Sequence, residues 1–581
     1  MPSLNRRHFL RSVGRCGLAA ASVAALPAWS RSALAQTNLP QGFSRQFTDL
    51  TPARFDPADL ARLALGDGKG LTGMTAEPEL LRDARDQPLR DTRGYLIASA
   101  TPENEQDDEE NFAIPAGYTY LGQFVDHDIT HNPLGGFGPV EGTVPNLRSA
   151  ALDLDCLYAG GPSQQPYLYA ADGRSLLRGR SLTRAGRPGP HRDLPRLAGR
   201  AAIGDKRNDE NVIVSQLHGV FADFHNAVVR DRPMADFDTV RREVIWHYQW
   251  MILTDFLPRL VGADQIAALL PGFGENGRLG QPRPQRSFTR TLAPGMIPME
   301  FTDAAYRFGH SMVRSTYRLN LAMAGTAEEQ RLNPALAGRR NIFAALDSAG
   351  LNGFREFPEG WAIDWELYFE TRNRLELSRV TDGRQRVQAA YKFDTSLTNP
   401  LAFLPEFSTT DAQGRLTRDR DGFPAAQPGV PANLALRNLL RGQQRGLPSG
   451  QDVARALGID PLKDDDIRIG KANLDGLAEN RAITDYGDSF RGKAPLWTYV
   501  LAEAQHDWNQ LARASQGSDA ERDALPSRLG PVGGRLVAET FIALLDNDPQ
   551  SVLHAPATWQ PAYGDNSRFS MVELLKVAGL A

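Results

Sequence analysis

Hydrophobic side chains recur at every third or fourth position over long stretches of this chain. Between Glu210 and Arg230, the residues Ile213, Leu217, Val220, Phe221, Phe224 and Val228 fall on one face of a 3.6-residue repeat. That spacing predicts a long amphipathic helix with its apolar stripe turned to a core. The same pattern predicts helices at 236–260, 302–319, 451–457, 496–514 and 533–547, and helical character begins near 119. Strands are few. Residues 36–110 are polar and interrupted by Pro and Gly, and read as an irregular arm with short helices. The stretches 270–300 and 380–435 read as long surface connections, and no segment repeats.

Composition narrows the class. With 41% hydrophobic and 23% charged residues, the chain has the make-up of a globular protein, and no apolar run reaches the ~18 residues a spanning helix needs. At 581 residues it could hold two domains or one large one. The opening MPSLNRRHFLRSVGR pairs Arg6 with Arg7 ahead of a small-residue apolar run, and Ala33-Leu34-Ala35 offers a cleavage site. Residues 1–35 therefore read as a twin-arginine-type export signal. They hold five arginines and no acid, so their removal takes the net charge from −4 to −9, which argues against nucleic acid as a partner. Cys16 leaves with the signal and Cys156 stays alone, so no intrachain disulfide forms and the core or a cofactor must hold the fold.

The densest chemistry lies in GQFVDHDITHNP, residues 122–133. His127 and His131 stand one helical turn apart with Asp128 between, close to the H-E-x-x-H spacing that holds zinc. The acid is Asp rather than Glu, however, and Pro133 with Gly135-Gly136 stops the helix where a zinc protease would continue it. A purely structural role stays open on this segment alone. Three others carry candidate chemistry: GDKRNDE, with Arg207 and Glu210 three apart at the head of the long helix; AAYRFGHSMVRSTYRL, with His310 mid-helix behind Gly309; and NLLRGQQRGLPSG, with Asn438 and Arg441. Each by itself admits a plain reading: a surface ion pair, a satisfied core histidine, a helix end.

In this order the segments resemble the animal-type haem peroxidases of the peroxidase–cyclooxygenase superfamily. LDLDCLYAGGP, HNAVV, APLWTYVLAEAQ and RLGPVGGRLVAETFIALL extend the resemblance from about Tyr118 to Val552. It implies a mostly α fold with few strands, a single large haem peroxidase domain over 111–581, and a buried haem b. His127 resembles the distal base that moves a proton across hydrogen peroxide. Arg207 resembles the cation beside it, and Gln123 the residue that orients distal water or a halide. His310 resembles the proximal iron ligand, and Asn438 the group that accepts the proton on its other ring nitrogen. Arg441 and Arg307 become candidates for the haem propionates. Asp126 and Glu210 match the two carboxylates that form ester bonds to haem methyls. A methionine that adds a third link in some members is here Asn211.

Asp128 resembles a calcium ligand. SAALDLD would complete its site through the Ser149 hydroxyl, the Ala151 carbonyl and the Asp153 and Asp155 carboxylates, an oxygen-only set that suits a hard cation. His131 is expected to be exposed at the helix end without a chemical role. The implied activity is reduction of hydrogen peroxide coupled to oxidation of halide, thiocyanate or small organic donors. Two alternatives follow from the same resemblance. One is a fatty-acid dioxygenase, disfavoured because Arg307 occupies the place of the radical tyrosine three residues before His310; the other is a calcium-dependent adhesion module like peroxinectin.

Overall fold

The computed structural model describes residues 42–67, 71–75, 110–132, 144–184, 187–274, 278–323, 338–343, 350–371, 387–402, 404, 407, 431–564 and 568–581. The export signal, most of the arm after residue 75 and the Pro133-to-Gly136 stretch lie outside them. Residues 41–581 form one compact unit. The longer helices are α1 (Pro57–Leu65), α2 (Gly117–Ile129), α3 (Val212–Asp231), α4 (Phe237–Met251), α5 (Leu434–Gln444), α6 (Leu496–Ala514) and α7 (Pro531–Asn547). The fold is mostly α. Strands among the described residues are short, the longest running over Glu110–Pro115 and Arg187–Arg192.

Helix α3 sits at the centre. Sixteen of its residues are buried, and it packs on α2 and α4. Its start is fixed by Asn211, whose Oδ1 accepts from the backbone N–H groups of Ile213 and Val214 at 3.0 and 2.9 Å. Helix α4 runs on through a wider turn at Ile252–Phe256 into Leu257–Val261. Pro258, one residue into that last segment, lacks the N–H that a regular ladder needs there.

Two expectations fail. No long helix covers 302–319: a short one spans Met299–Thr302 and a 3-10 turn spans Ala305–His310, after which the chain leaves helical geometry. The polar groups of this stretch bond across the fold instead of along a helix. Ser311 Oγ donates to Lys392 O at 2.9 Å, and buried Arg314 reaches Glu110 at 2.7 Å and Ala389 O at 3.1 Å. The second failure is 387–402, which is interior rather than surface. Ala389–Tyr391 pairs antiparallel with Glu110–Pro115, and Ala390, Lys392, Phe393 and Thr395 are fully buried. The start of the arm also enters the core: Gly42–Ser44 forms a strand beside Met296–Pro298, and Leu60 and Leu63 of α1 are fully buried.

Candidate active site

Helix α2 carries Gln123, Asp126, His127 and Asp128, and its end is anchored twice. Thr130 leaves helical geometry, and Asn146 clamps the exit by donating to Ile129 O and accepting from His131 N–H, both at 2.7 Å. His131 is half-buried rather than exposed, because this clamp folds the exit back onto the body of the molecule. His127 is buried, and its Nδ1 lies 2.8 Å from Asn208 Oδ1. Burial and then the positive charge of Arg207 hold its imidazole down to about 3, so it is neutral at physiological pH.

Arg207 and Glu210 do not stand on the long helix. Arg207 lies in the 3-10 turn Lys206–Asp209 and Glu210 follows it, because Asn211 caps α3 only afterwards. Asp205 holds the guanidinium through Nε at 3.1 Å and Nη2 at 2.7 Å, while Nη2 also donates to His127 O and Thr130 O at 3.1 and 2.5 Å. Burial alone would raise the Asp205 carboxyl, but the bonds and charge of Arg207 outweigh it and keep Asp205 ionised. The guanidinium is thus tied to Asp205 through Nε and Nη2 and to the carbonyl end of α2 through Nη2 alone, and Nη1 takes no part in these bonds.

Gln123 joins the two loops. Its Nε2 donates to Glu210 Oε1 in a short contact, and its Oε1 accepts from Asn211 Nδ2 at 3.1 Å. Asn211 therefore caps α3 and holds Gln123. Asp126 accepts from Thr130 Oγ1 at 3.1 Å, and its carboxyl is pushed up by burial against the opposing pull of Arg207 and Arg307.

The other half of the site comes from the 3-10 turn. Tyr306 Oη donates to Gly122 O of α2 at 3.1 Å, so the two halves touch. At His310, burial and the neighbouring Arg307 and Arg441 push the imidazole down to about 3. Its Nδ1 lies 2.8 Å from Asn438 Nδ2 on α5, while Asn438 Oδ1 faces Arg307 Nη1 at 3.4 Å. This reverses the expectation that Asn438 accepts the imidazole proton: with the Arg307 cation drawing the amide oxygen, the NH2 group turns to the ring. A metal on Nε2 requires the other amide orientation, with the long Arg307 contact given up.

Around this histidine the residues fit a planar dianion. A Cβ added at Gly309 would meet nothing within 4 Å, so the face beside His310 is open. Arg307, Arg441 and Arg445 converge on one carboxylate, Asp303, at 3.8, 3.9 and 3.6 Å. Buried Arg307 Nε and Arg445 Nη1 have no hydrogen-bond partner among the described residues. Three cations against one anion leave positive charge in excess, as propionates would require. Arg445 escaped the sequence reading, although its place four residues after Arg441 puts both on one side of α5. Asn208, His218 and Asp205 were missed too, since nothing in their spacing marks them.

Asp128, Asp153 and Asp155 meet behind α2, with one carboxylate oxygen of each within 4.8 Å of the others. Asp128 is fully buried and accepts from the N–H groups of Leu154 and Cys156 at 3.2 and 3.4 Å. Ser149 Oγ donates to Asp153 at 2.6 Å, and Ala151 O accepts from Gln249 Nε2 at 3.2 Å. Leu152 and Leu154 take positive φ of 53° and 56°, a costly conformation that curls the loop around these oxygens. Burial, then the charge of Asp153, pushes the Asp128 carboxyl up to about 7. Cys156 beside it is buried and unpaired.

Residues 146–357 match the family model "Animal haem peroxidase". Over that stretch, which is less than half of the chain, it is similar to the animal haem peroxidase family. The match takes in the acidic loop, Arg207, Glu210 and His310, and leaves α2 and Asn438 outside it. A "Peroxidase-like protein" of Margaritifera margaritifera is 32% identical over 125 residues, 20% of this chain and 14% of that protein. A "Chorion peroxidase" of Aedes aegypti is 27% identical over 126 residues, 20% and 15%. Among solved structures, Peroxidase A from Dictyostelium discoideum aligns with a TM-score of 0.46 at 14% identity over 92% of each chain. A fatty acid alpha-dioxygenase of Oryza sativa aligns with 0.44 at 14% identity, covering 94% of this chain and 87% of that one. No described helix is long and apolar enough to cross a membrane.

Proposed function

We propose that this chain is an exported haem b peroxidase that reduces hydrogen peroxide and oxidises a halide, thiocyanate or a small organic donor. The observation that carries the reading is the pairing of two imidazoles on touching elements, buried His127 on α2 and half-buried His310 beside the open face of Gly309. His310 would hold the iron and Asn438 would orient its ring; Arg307, Arg441 and Arg445 would meet the propionates. Bound haem supplies the electrons that cleave peroxide and the oxidising power passed to the donor.

The chain's own part is proton handling. His127, neutral and buried, takes the peroxide proton on one oxygen and returns it to the departing one. Arg207 is pre-positioned by Asp205 and the α2 carbonyls, so it stabilises developing negative charge with no reorganisation of its own. Gln123 orients the distal ligand while bonded to Glu210. Asp126 and Glu210 would lie against haem methyls and form esters, and Asn211, lacking sulfur, forms no third link. Calcium at Asp128, Asp153, Asp155, Ser149 Oγ and Ala151 O would relieve the mutual repulsion of three carboxylates and pin the residue next to His127. Against the dioxygenase reading, Tyr306 spends its hydroxyl on Gly122 O, and the position three before the histidine is Arg307.

The test is a peroxide titration of the haem-loaded protein followed by acid–organic extraction. Expected are rapid consumption of peroxide with donor oxidation, and haem retained by the protein. Haem that binds yet ignores peroxide sinks the peroxidase reading; fully extractable haem after turnover removes the esters.

A further inference from the structure

One buried amide stands between two imidazoles. Asn208 Oδ1 lies 2.8 Å from His127 Nδ1 and Asn208 Nδ2 lies 3.1 Å from His218 Nδ1. None of the three is more than 5% exposed. Asn208 belongs to the same short turn as Arg207, and His218 is on α3, where Phe124 of α2 packs edge-on against its ring with centroids 6.0 Å apart. The group therefore ties three elements together at one point. Burial and then the charge of Arg178 hold the His218 imidazole down to about 3, so it too is neutral.

An amide oxygen only accepts and an amide NH2 only donates. With Oδ1 toward His127, that ring must carry its proton on Nδ1, which leaves the lone pair on Nε2. With Nδ2 toward His218, that ring must present a lone pair at Nδ1 and carry its proton on Nε2. Inverting the amide would invert both rings at once and place the His127 proton on Nε2, where it blocks the base. The tautomer of His127 is thus coupled to that of a histidine two bonds removed.

We propose that Asn208 is a positioning residue that fixes His127 as the Nδ1–H tautomer, and that His218 receives the other end of the same amide. This deepens the peroxidase reading and rests on His127 being the distal base. Neither residue touches the reacting atoms. Removing the acceptor frees the ring to hold either tautomer and to turn. Removing His218 leaves the amide free to invert.

The experiment uses haem-loaded protein with 15N-labelled histidine, ligated with cyanide at neutral pH, together with the cyanide dissociation constant. Cyanide binds iron as the anion, so the proton of hydrogen cyanide must be taken up by a base beside it. Wild type should show His127 protonated at Nδ1. Asn208→Leu, close in shape but without an acceptor, should lose that signature and weaken cyanide binding by roughly 10- to 100-fold, the range seen when an orienting partner of a histidine is removed. Asn208→Asp keeps an acceptor and should restore both, which separates tautomer control from a packing defect. His218→Phe should give a mixture of tautomers with haem content unchanged. A wild-type His127 bare at Nδ1, or a leucine variant with unaltered tautomer and affinity, overturns the proposal alone. Haem-loaded wild type that reacts with neither cyanide nor peroxide overturns the reading of His127 as the base, and the proposal with it.

Discussion

The two halves of the site are built on opposite principles. On the distal side, α2 is a regular helix whose end is clamped by Asn146, whose histidine is bonded to Asn208, and whose arginine is fixed by Asp205 and two carbonyls. On the proximal side, His310 ends a 3-10 turn with one amide against it, while three guanidiniums crowd one carboxylate and two buried nitrogens lack partners. The distal imidazole and guanidinium are held by the protein's own groups. On the proposed reading, an anion and an electrophile complete the proximal half. Preorganisation serves proton transfer, where a misplaced base fails, whereas excess charge serves capture of a charged cofactor.

The most severe break comes from the two histidines. His310→Ala should yield protein with little haem, measured by pyridine haemochrome, because His310 is the residue proposed to hold the iron. His127→Ala should keep haem and lose peroxide reactivity by roughly 10²- to 10⁴-fold in stopped-flow, the usual contribution of a positioned acid–base group. Equal haem content with normal reactivity in both would erase the distinction between the halves.

Asp303 offers a sharper contrast. Its replacement by alanine removes the one carboxylate that Arg307, Arg441 and Arg445 share, and haem-free protein should lose about 3 kcal/mol in urea unfolding, as for breaking a buried ion pair. In haem-loaded protein the loss should shrink, since propionates bring their own negative charge. An equal loss in both forms would detach the arginine cluster from haem.

Chelation probes the distal half from behind. Stripping the proposed calcium should lower stability by about 2.7 kcal/mol relative to protein held at a hundredfold excess over its dissociation constant. It should also change the peroxide rate, because Asp128 lies between His127 and Thr130, whose carbonyls Arg207 grips. An unchanged rate in demonstrably metal-free protein would uncouple the two sites.

The smallest effect concerns histidines outside the site. Burial holds His225 and His247 down to about 4 in the folded chain, against the ordinary 6.5 when unfolded. Because the folded pKa is the lower one, their stability contribution is complete above pH 6.5 and is lost as pH falls toward 4. Each should cost about 1 kcal/mol at pH 5.5, read by urea unfolding at pH 7.5 and 5.5. A replacement of both by apolar residues that leaves the acid slope intact would assign that slope to the site instead.

Periodicity alone located α3, α6 and α7, because a stripe of apolar residues at 3.6 spacing has one way to reach a core. The family resemblance also picked out the acidic set Asp128, Asp153 and Asp155, which the fold does bring together. What sequence could not decide is wherever a polar side chain had a choice of partner. Ser311 and Arg314 chose distant strands over their own helix, and the expected helix at 302–319 gave way to a turn. Residues 387–402 look like loop because a buried strand paired with residues almost 280 positions earlier carries no local mark. Asn208 is invisible for the same reason: an amide becomes informative only when two imidazoles are folded onto it, and hydrogen-bond direction is settled by partners far apart in the chain.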